Sequence, residues 1–227
     1  MAPDGQPLVL FDIDGTLVRR IGPHHREALV AAVRNVTGLE TTTDGIPVHG
    51  MLDPDILTRM MSAAGAPAAR IRRWMPAVIK EAQRVYACPD LRRKTCPGVR
   101  RLLGRLHRRG TPLALVTGNL TSIGWRKLEA AGLNGYFWFG AFGEMARDRA
   151  ALARLAIRHA RKEGWIRKRA VVSLIGDAPS DVLAAKANGA QAIAVYTGIS
   201  SEAELRAHRP DHLIDDLRAL NLQTLGL

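Results

Sequence analysis

The chain has 227 residues, 47% of them hydrophobic and 24% charged, which allows one well-buried core and a smaller accessory unit but not two large domains. No apolar run approaches the roughly 20 residues that span a bilayer, and no basic stretch leads into an apolar core at the N-terminus, so the sequence reads as a cytoplasmic protein with no membrane partner. The net charge is +12, and only six of the 33 basic residues are Lys; the Arg excess reads either as a solvated basic surface or as one that attracts anionic substrates or nucleic acid, and with 5% aromatics and no nucleic-acid motif nucleic acid is not expected as a main partner.

In chain order, Leu8–Phe11 is a short apolar run of the kind that forms a strand buried on both faces. The stretch from about Arg19 to Cys96 follows with roughly three helical segments and no convincing strand. His24–Val36 stops at Gly38, Asp53-Pro54 reads as an N-cap with Pro at the first helical position of a helix running to Gly65, and Pro67–Tyr86 forms a third helix that Pro76 should kink or divide. Cys88 and Cys96 match no zinc spacing and read as structural thiols. Strands then alternate with amphipathic helices. Strand candidates are Leu113–Val116, Ala170–Ile175 and Ala192–Val195, with weaker ones at Phe137–Phe139 and His212–Ile214; the stripes Val99, Leu102, Leu103, Leu106 and Leu152, Leu155, Ala156, His159 mark helices. The fold class is therefore α/β: a Rossmann-like parallel sheet core with a helical domain inserted after the first strand. The expected boundaries are 1–18 and 97–227 for the core and 19–96 for the insert.

Ligands of open α/β sheets bind beyond the carboxyl ends of the strands, so polar residues at strand ends carry information. The first strand ends in Asp12-Ile13-Asp14-Gly15-Thr16, the second in Thr117-Gly118-Asn119, and a third in Gly176-Asp177 with Asp181 four residues on. Carboxylates converging on one crevice repel unless a cation sits among them. Aspartates without His or paired Cys favour a hard, oxygen-seeking ion, Mg²⁺ first. A hydroxyl and backbone amides opening a helix at Thr117-Gly118-Asn119 suit an oxyanion such as phosphate. Together these groups point to phosphoryl transfer.

Phe11-Asp12-Ile13-Asp14-Gly15-Thr16-Leu17, Leu115–Asn119 and Ile175–Asp181 resemble the signature loops of the haloacid-dehalogenase-like hydrolase superfamily, and Cys96-Pro97-Gly98-Val99, Tyr196-Thr197-Gly198 and Pro210–Leu217 are similar to its phosphoglycolate-phosphatase-like branch. The resemblance implies that Asp12 is the nucleophile of an aspartyl-phosphate mechanism and Asp14 the general acid and base. It implies that Asp12, the Asp14 backbone carbonyl and Asp177 hold Mg²⁺ while Asp181 holds metal-bound water, that Thr117 and the Gly118 amide bind the phosphoryl oxygens, and that the helical insert is a cap. Asn119 is grouped with the phosphate-binding residues. The Lys that this superfamily places ahead of the last signature strand is absent, and Arg149 is the candidate replacement. His24, His25 and His49 read as surface or hinge residues, and Asp53 as an N-cap. The expected activity is a Mg²⁺-dependent phosphatase acting on a small phosphorylated metabolite, as a monomer or dimer. A phosphomutase of the same superfamily, or a basic binding protein with weak hydrolysis, stays open, whereas a dehalogenase would not need Asp14.

Overall fold

The computed structural model describes residues 6–20 and 22–227. Strands β1 (Leu8–Phe11), β2 (Leu113–Val116), β3 (Phe139–Ala141), β4 (Val172–Gly176), β5 (Gln191–Val195) and β6 (His212–Ile214) form one parallel sheet in the order β3-β2-β1-β4-β5-β6. The chain steps outward from β1 through β2 to β3, then returns to the other side of β1 for β4. That reversal puts the switch point, and the crevice it opens, at the carboxyl end of β1.

Side chains alternate across β1 with period two. Val9 and Phe11 join the cluster under α4 (Val99–Arg108) and α5 (Thr121–Ala131). Leu8 and Leu10 join the cluster under α6 (Arg149–Lys162), α7 (Pro179–Lys186) and α8 (Glu202–Ala207). All four β1 residues are fully buried, which explains why the strand lacks any polar alternation in sequence.

Between β1 and β2 lie α1 (His24–Thr37), α2 (Asp53–Ala63) and α3 (Ala68–Val85). Their facing residues, among them Leu29, Val33, Leu57, Met61 and Val78, build a separate apolar cluster, which reaches the rest of the molecule through Leu120 and Ile123 of the β2–α5 region. The two chain crossings into this region run side by side: the Arg19 amide donates to the Lys94 carbonyl at 2.8 Å, and the Cys96 amide to the Leu17 carbonyl at 3.0 Å.

Several local expectations shift. Pro76 does not divide α3, which is continuous over 18 residues. Pro76 and Arg72 are both exposed, so the carbonyl freed by the missing amide faces water rather than the core. The weak strand at Phe137–Phe139 lies two residues later, at Phe139–Ala141, because the ladder to β2 pairs Ala114 with Phe139 and Val116 with Ala141. Asp53 opens α2, but its side chain caps nothing there; Leu52 holds the N-cap position.

Candidate active site

The carboxylates that end β1 and β4 meet over the switch point. Asp12 leaves β1 directly, and its amide donates to the Ile175 carbonyl of β4 at 3.0 Å. Gly15 turns the chain away at φ +87°, and a Cβ there would lie 2.3 Å from Asp177 Oδ2, so glycine is required both for the turn and for the close approach. Asp12, Asp177 and Asp181 are buried, and each offers an oxygen within 4.8 Å of the others. Asp177 Oδ2 is buried with no hydrogen-bond partner among the described residues. Burial, with Asp12 and Asp181 beside it, pushes the Asp177 carboxyl well above its ordinary pKa. Burial likewise lifts Asp181 to about 6, even though Arg149 pulls the other way. An orphaned buried carboxylate oxygen among carboxylates fits a hard cation.

Arg149 is the first residue of α6, whose N-terminus is capped by the Asp148 side chain on the Ala151 amide at 2.7 Å. That cap aims Arg149 inward, where it is 7% exposed. Its Nη2 lies 2.5 Å from Asp12 Oδ1 and its Nε 2.5 Å from Asp181 Oδ1. Arg147, two residues earlier, keeps its side chain 88% exposed and pairs with Asp148.

Asp14 faces a different cation. Lys127 Nζ donates to Asp14 Oδ2 at 2.6 Å, and Asn119 Nδ2 donates to the same oxygen at 2.8 Å. Burial would raise the Asp14 pKa, but Lys127, followed by His25, more than offsets it and holds the carboxyl well below its usual range. The Asp14 side chain is absent from the three-carboxylate cluster, which leaves its backbone carbonyl as the group that could face a cation.

The turn after β2 completes the site. Thr117 is fully buried, and its Oγ1 accepts from Asn119 Nδ2 at 2.7 Å. Gly118 must be glycine, since a Cβ would lie 2.1 Å from the Met51 carbonyl oxygen. Asn119 stands behind the turn, its amide engaged by Asp14, Thr117 and Lys127. These groups line a cavity of about 540 Å³ between the sheet and the α1–α2 region.

The family model for haloacid dehalogenase-like hydrolases matches residues 7–189. The chain belongs to that family. A 5'-nucleotidase from Pseudomonas aeruginosa is 29% identical over 218 residues, covering 94% of this chain and 93% of the relative. A phosphoglycolate phosphatase from Synechococcus elongatus is 29% identical over 211 residues, covering 91% and 92%. Among solved structures, β-phosphoglucomutase from Clostridium difficile superposes with a TM-score of 0.69 over 96% of this chain and 94% of its own, at 14% identity; that likeness concerns the fold alone.

Within this family member, the signature residues Asp12, Asp14, Thr117, Gly118, Asp177, Asp181 and Arg149 all line or adjoin one crevice. Three further residues escaped sequence reasoning. Lys127 lies on the buried face of α5, one turn from Ile123 and Ala131; a Lys on an apolar stripe was the available signal. His25, assigned to surface or hinge, has its Nε2 2.8 Å from Asp53 Oδ2 and its Nδ1 3.2 Å from Lys127 Nζ. Asp53, read as an N-cap, accepts instead from the Leu120 amide at 2.8 Å, across the seam to α5. His24 lines the cavity beside His25, with its Nδ1 3.9 Å from Glu27 Oε2. His49 bonds Arg20 and Ser200, each at 2.7 Å, and ties the loop before α2 to the β5–α8 connection.

Proposed function

We propose that the protein is a Mg²⁺-dependent phosphatase that hydrolyses a small phosphorylated metabolite through an aspartyl-phosphate on Asp12. The observation that carries this reading is the pairing of Asp12 Oδ1 with Arg149 at 2.5 Å beside the buried carboxylate cluster. A carboxylate fixed on one oxygen by a guanidinium is oriented for attack through the other. The all-oxygen donor set of Asp12, Asp177, Asp181 and the Asp14 carbonyl would hold Mg²⁺, which when bound neutralises charge on the phosphoryl group and on its nucleophile.

The chain's own residues do the rest. The Thr117 hydroxyl already accepts from Asn119, so its proton is free for a phosphoryl oxygen, next to the Gly118 amide. Arg149 bonds Asp12 and neutralises the incoming phosphate. Asp14 is an anion in the free site; a dianionic phosphate arriving beside it raises its proton affinity, so proton uptake accompanies binding. Asp14 then protonates the leaving oxygen and, as the base, takes a proton from the water that opens the aspartyl-phosphate. Residues 19–96 act as the cap: their helices form a wall of the cavity and shield it from bulk water. Relatives named 5'-nucleotidase and phosphoglycolate phosphatase support a metabolite-sized ester and leave its identity to the cap.

The test is phosphate release from a panel of nucleoside, sugar and carboxylated phosphate monoesters. Turnover of at least one ester with Mg²⁺, and none after chelation, is expected. A panel hydrolysed equally in excess chelator, or only isomerised with a bisphosphate activator, would overturn the reading.

A further inference from the structure

Burying an ammonium group is expensive unless every proton finds an acceptor. Lys127 is 5% exposed on α5, and its Nζ contacts three groups: Asp14 Oδ2 at 2.6 Å, Asn119 Oδ1 at 2.6 Å and His25 Nδ1 at 3.2 Å. An ammonium has three donors and no acceptor, so all three contacts run outward from Lys127, and they fix the orientation of their partners. Asn119 must turn its oxygen to Lys127, which sends its Nδ2 hydrogens to Asp14 Oδ2 and Thr117 Oγ1. His25 must present a bare Nδ1, which places its proton on Nε2 toward Asp53 Oδ2. Asp14 Oδ2 is then occupied by two donors, and no hydrogen bond among the described residues reaches Oδ1.

We infer that Lys127 is the positioning residue of the acid–base step: it locks the Asp14 carboxylate so that Oδ1 alone exchanges protons with the leaving oxygen and with water. This rests on the phosphatase reading above. The distinction from a purely electrostatic role is one of sign. A Lys that only lowered the proton affinity of Asp14 would, once removed, leave a readier acid. A Lys that aims the carboxylate leaves, once removed, a misdirected one.

Two esters of similar shape separate these roles through kcat/KM, which covers the steps up to departure of the phenol. The phenolate of 2,4-dinitrophenyl phosphate leaves without a proton, whereas that of phenyl phosphate needs one. General acid catalysis contributes typically about 10²–10⁴-fold, so Lys127→Met should lower kcat/KM for phenyl phosphate by about 100-fold or more and for the dinitrophenyl ester by less than about tenfold. His25→Ala, at a residue with a side chain 24% exposed, removes one acceptor and should steepen the same dependence more mildly; it keeps the inference testable if Lys127→Met does not fold. Equal losses on both esters, no loss on either, or a shallower dependence would overturn the role of Lys127. Asp12→Asn separates the two claims: if it still hydrolyses either ester at the wild-type rate, the phosphatase mechanism itself fails. If it is inactive while Lys127→Met behaves as the wild type, only the positioning role falls.

Discussion

Replacing Arg149 by Met removes the guanidinium that joins Asp12 to Asp181 and keeps most of the side-chain volume. What remains is three carboxylates with oxygens within 4.8 Å of one another and no cation between them. Two like charges at that separation repel by about 3.5 kcal/mol at an effective dielectric of about 20. Mutational experience with one partner removed from a buried pair gives about 3–5 kcal/mol, so the two routes agree. Chemical denaturation in chelator should therefore show Arg149→Met less stable than the wild type by about 3–5 kcal/mol at neutral pH. Saturating Mg²⁺ should recover part of the loss, because a divalent ion supplies the same counter-charge. In the transition state, a preorganised charge of this kind contributes about 3–4 kcal/mol, so kcat/KM should fall by roughly two to three orders of magnitude. Arg149→Lys should recover part of the activity. Arg147→Ala, at a side chain 88% exposed, should stay within about threefold of the wild type, as surface changes usually do. The reasoning is refuted if Arg149→Met is as stable as the wild type in chelator and keeps activity within tenfold.

Two more outcomes follow from the same geometry. Asp181 is lifted from 3.8 to about 6 and Asp177 is raised well above its ordinary value, so the folded metal-free site binds protons more readily than the unfolded chain. Its contribution therefore becomes increasingly unfavourable as pH rises from about 4 through about 6, and Mg²⁺ relieves it; the rise in melting temperature on adding Mg²⁺ should be larger at pH 7.5 than at pH 4.5, and a constant rise across that range would count against a metal among these carboxylates. Gly118→Ala should cost most of the activity with a modest loss of stability, since the new Cβ would push the Met51 carbonyl and spread the phosphate turn from the loop above it; unchanged kcat/KM would show that this close approach does not matter.

The central strands were legible because they are buried on both faces: Leu8–Phe11 and Leu113–Val116 lie where their apolar runs put them, and strand-end aspartates follow directly. Arg149 was picked out by the missing Lys and its place at the helix start, and α6 turns it inward there. Lys127 was not, because its partners Asp14 and His25 lie 113 and 102 residues away in sequence. Its place on the apolar stripe of α5 hints at burial, but its three partners appear only when α1 and α5 are brought together. Asp53 misled for a related reason: Asp before Pro is a helix-start signal, yet the Leu120 amide and His25 compete successfully for its carboxylate. The strand at Phe139–Ala141 was misplaced by its aromatic neighbours. What sets it is the ladder to β2, which pairs Ala114 with Phe139 and Val116 with Ala141.

The central claim is that Asp12 carries the phosphoryl group. The direct measurement is rapid quenching of the enzyme during turnover of a labelled ester with Mg²⁺, followed by peptide mapping by mass spectrometry. The account predicts an acid-stable, hydroxylamine-labile phosphoryl adduct on the peptide containing Asp12, absent from Asp12→Asn. Turnover with the label on another residue, or an Asp12→Asn variant that still hydrolyses the ester at the wild-type rate, would contradict it.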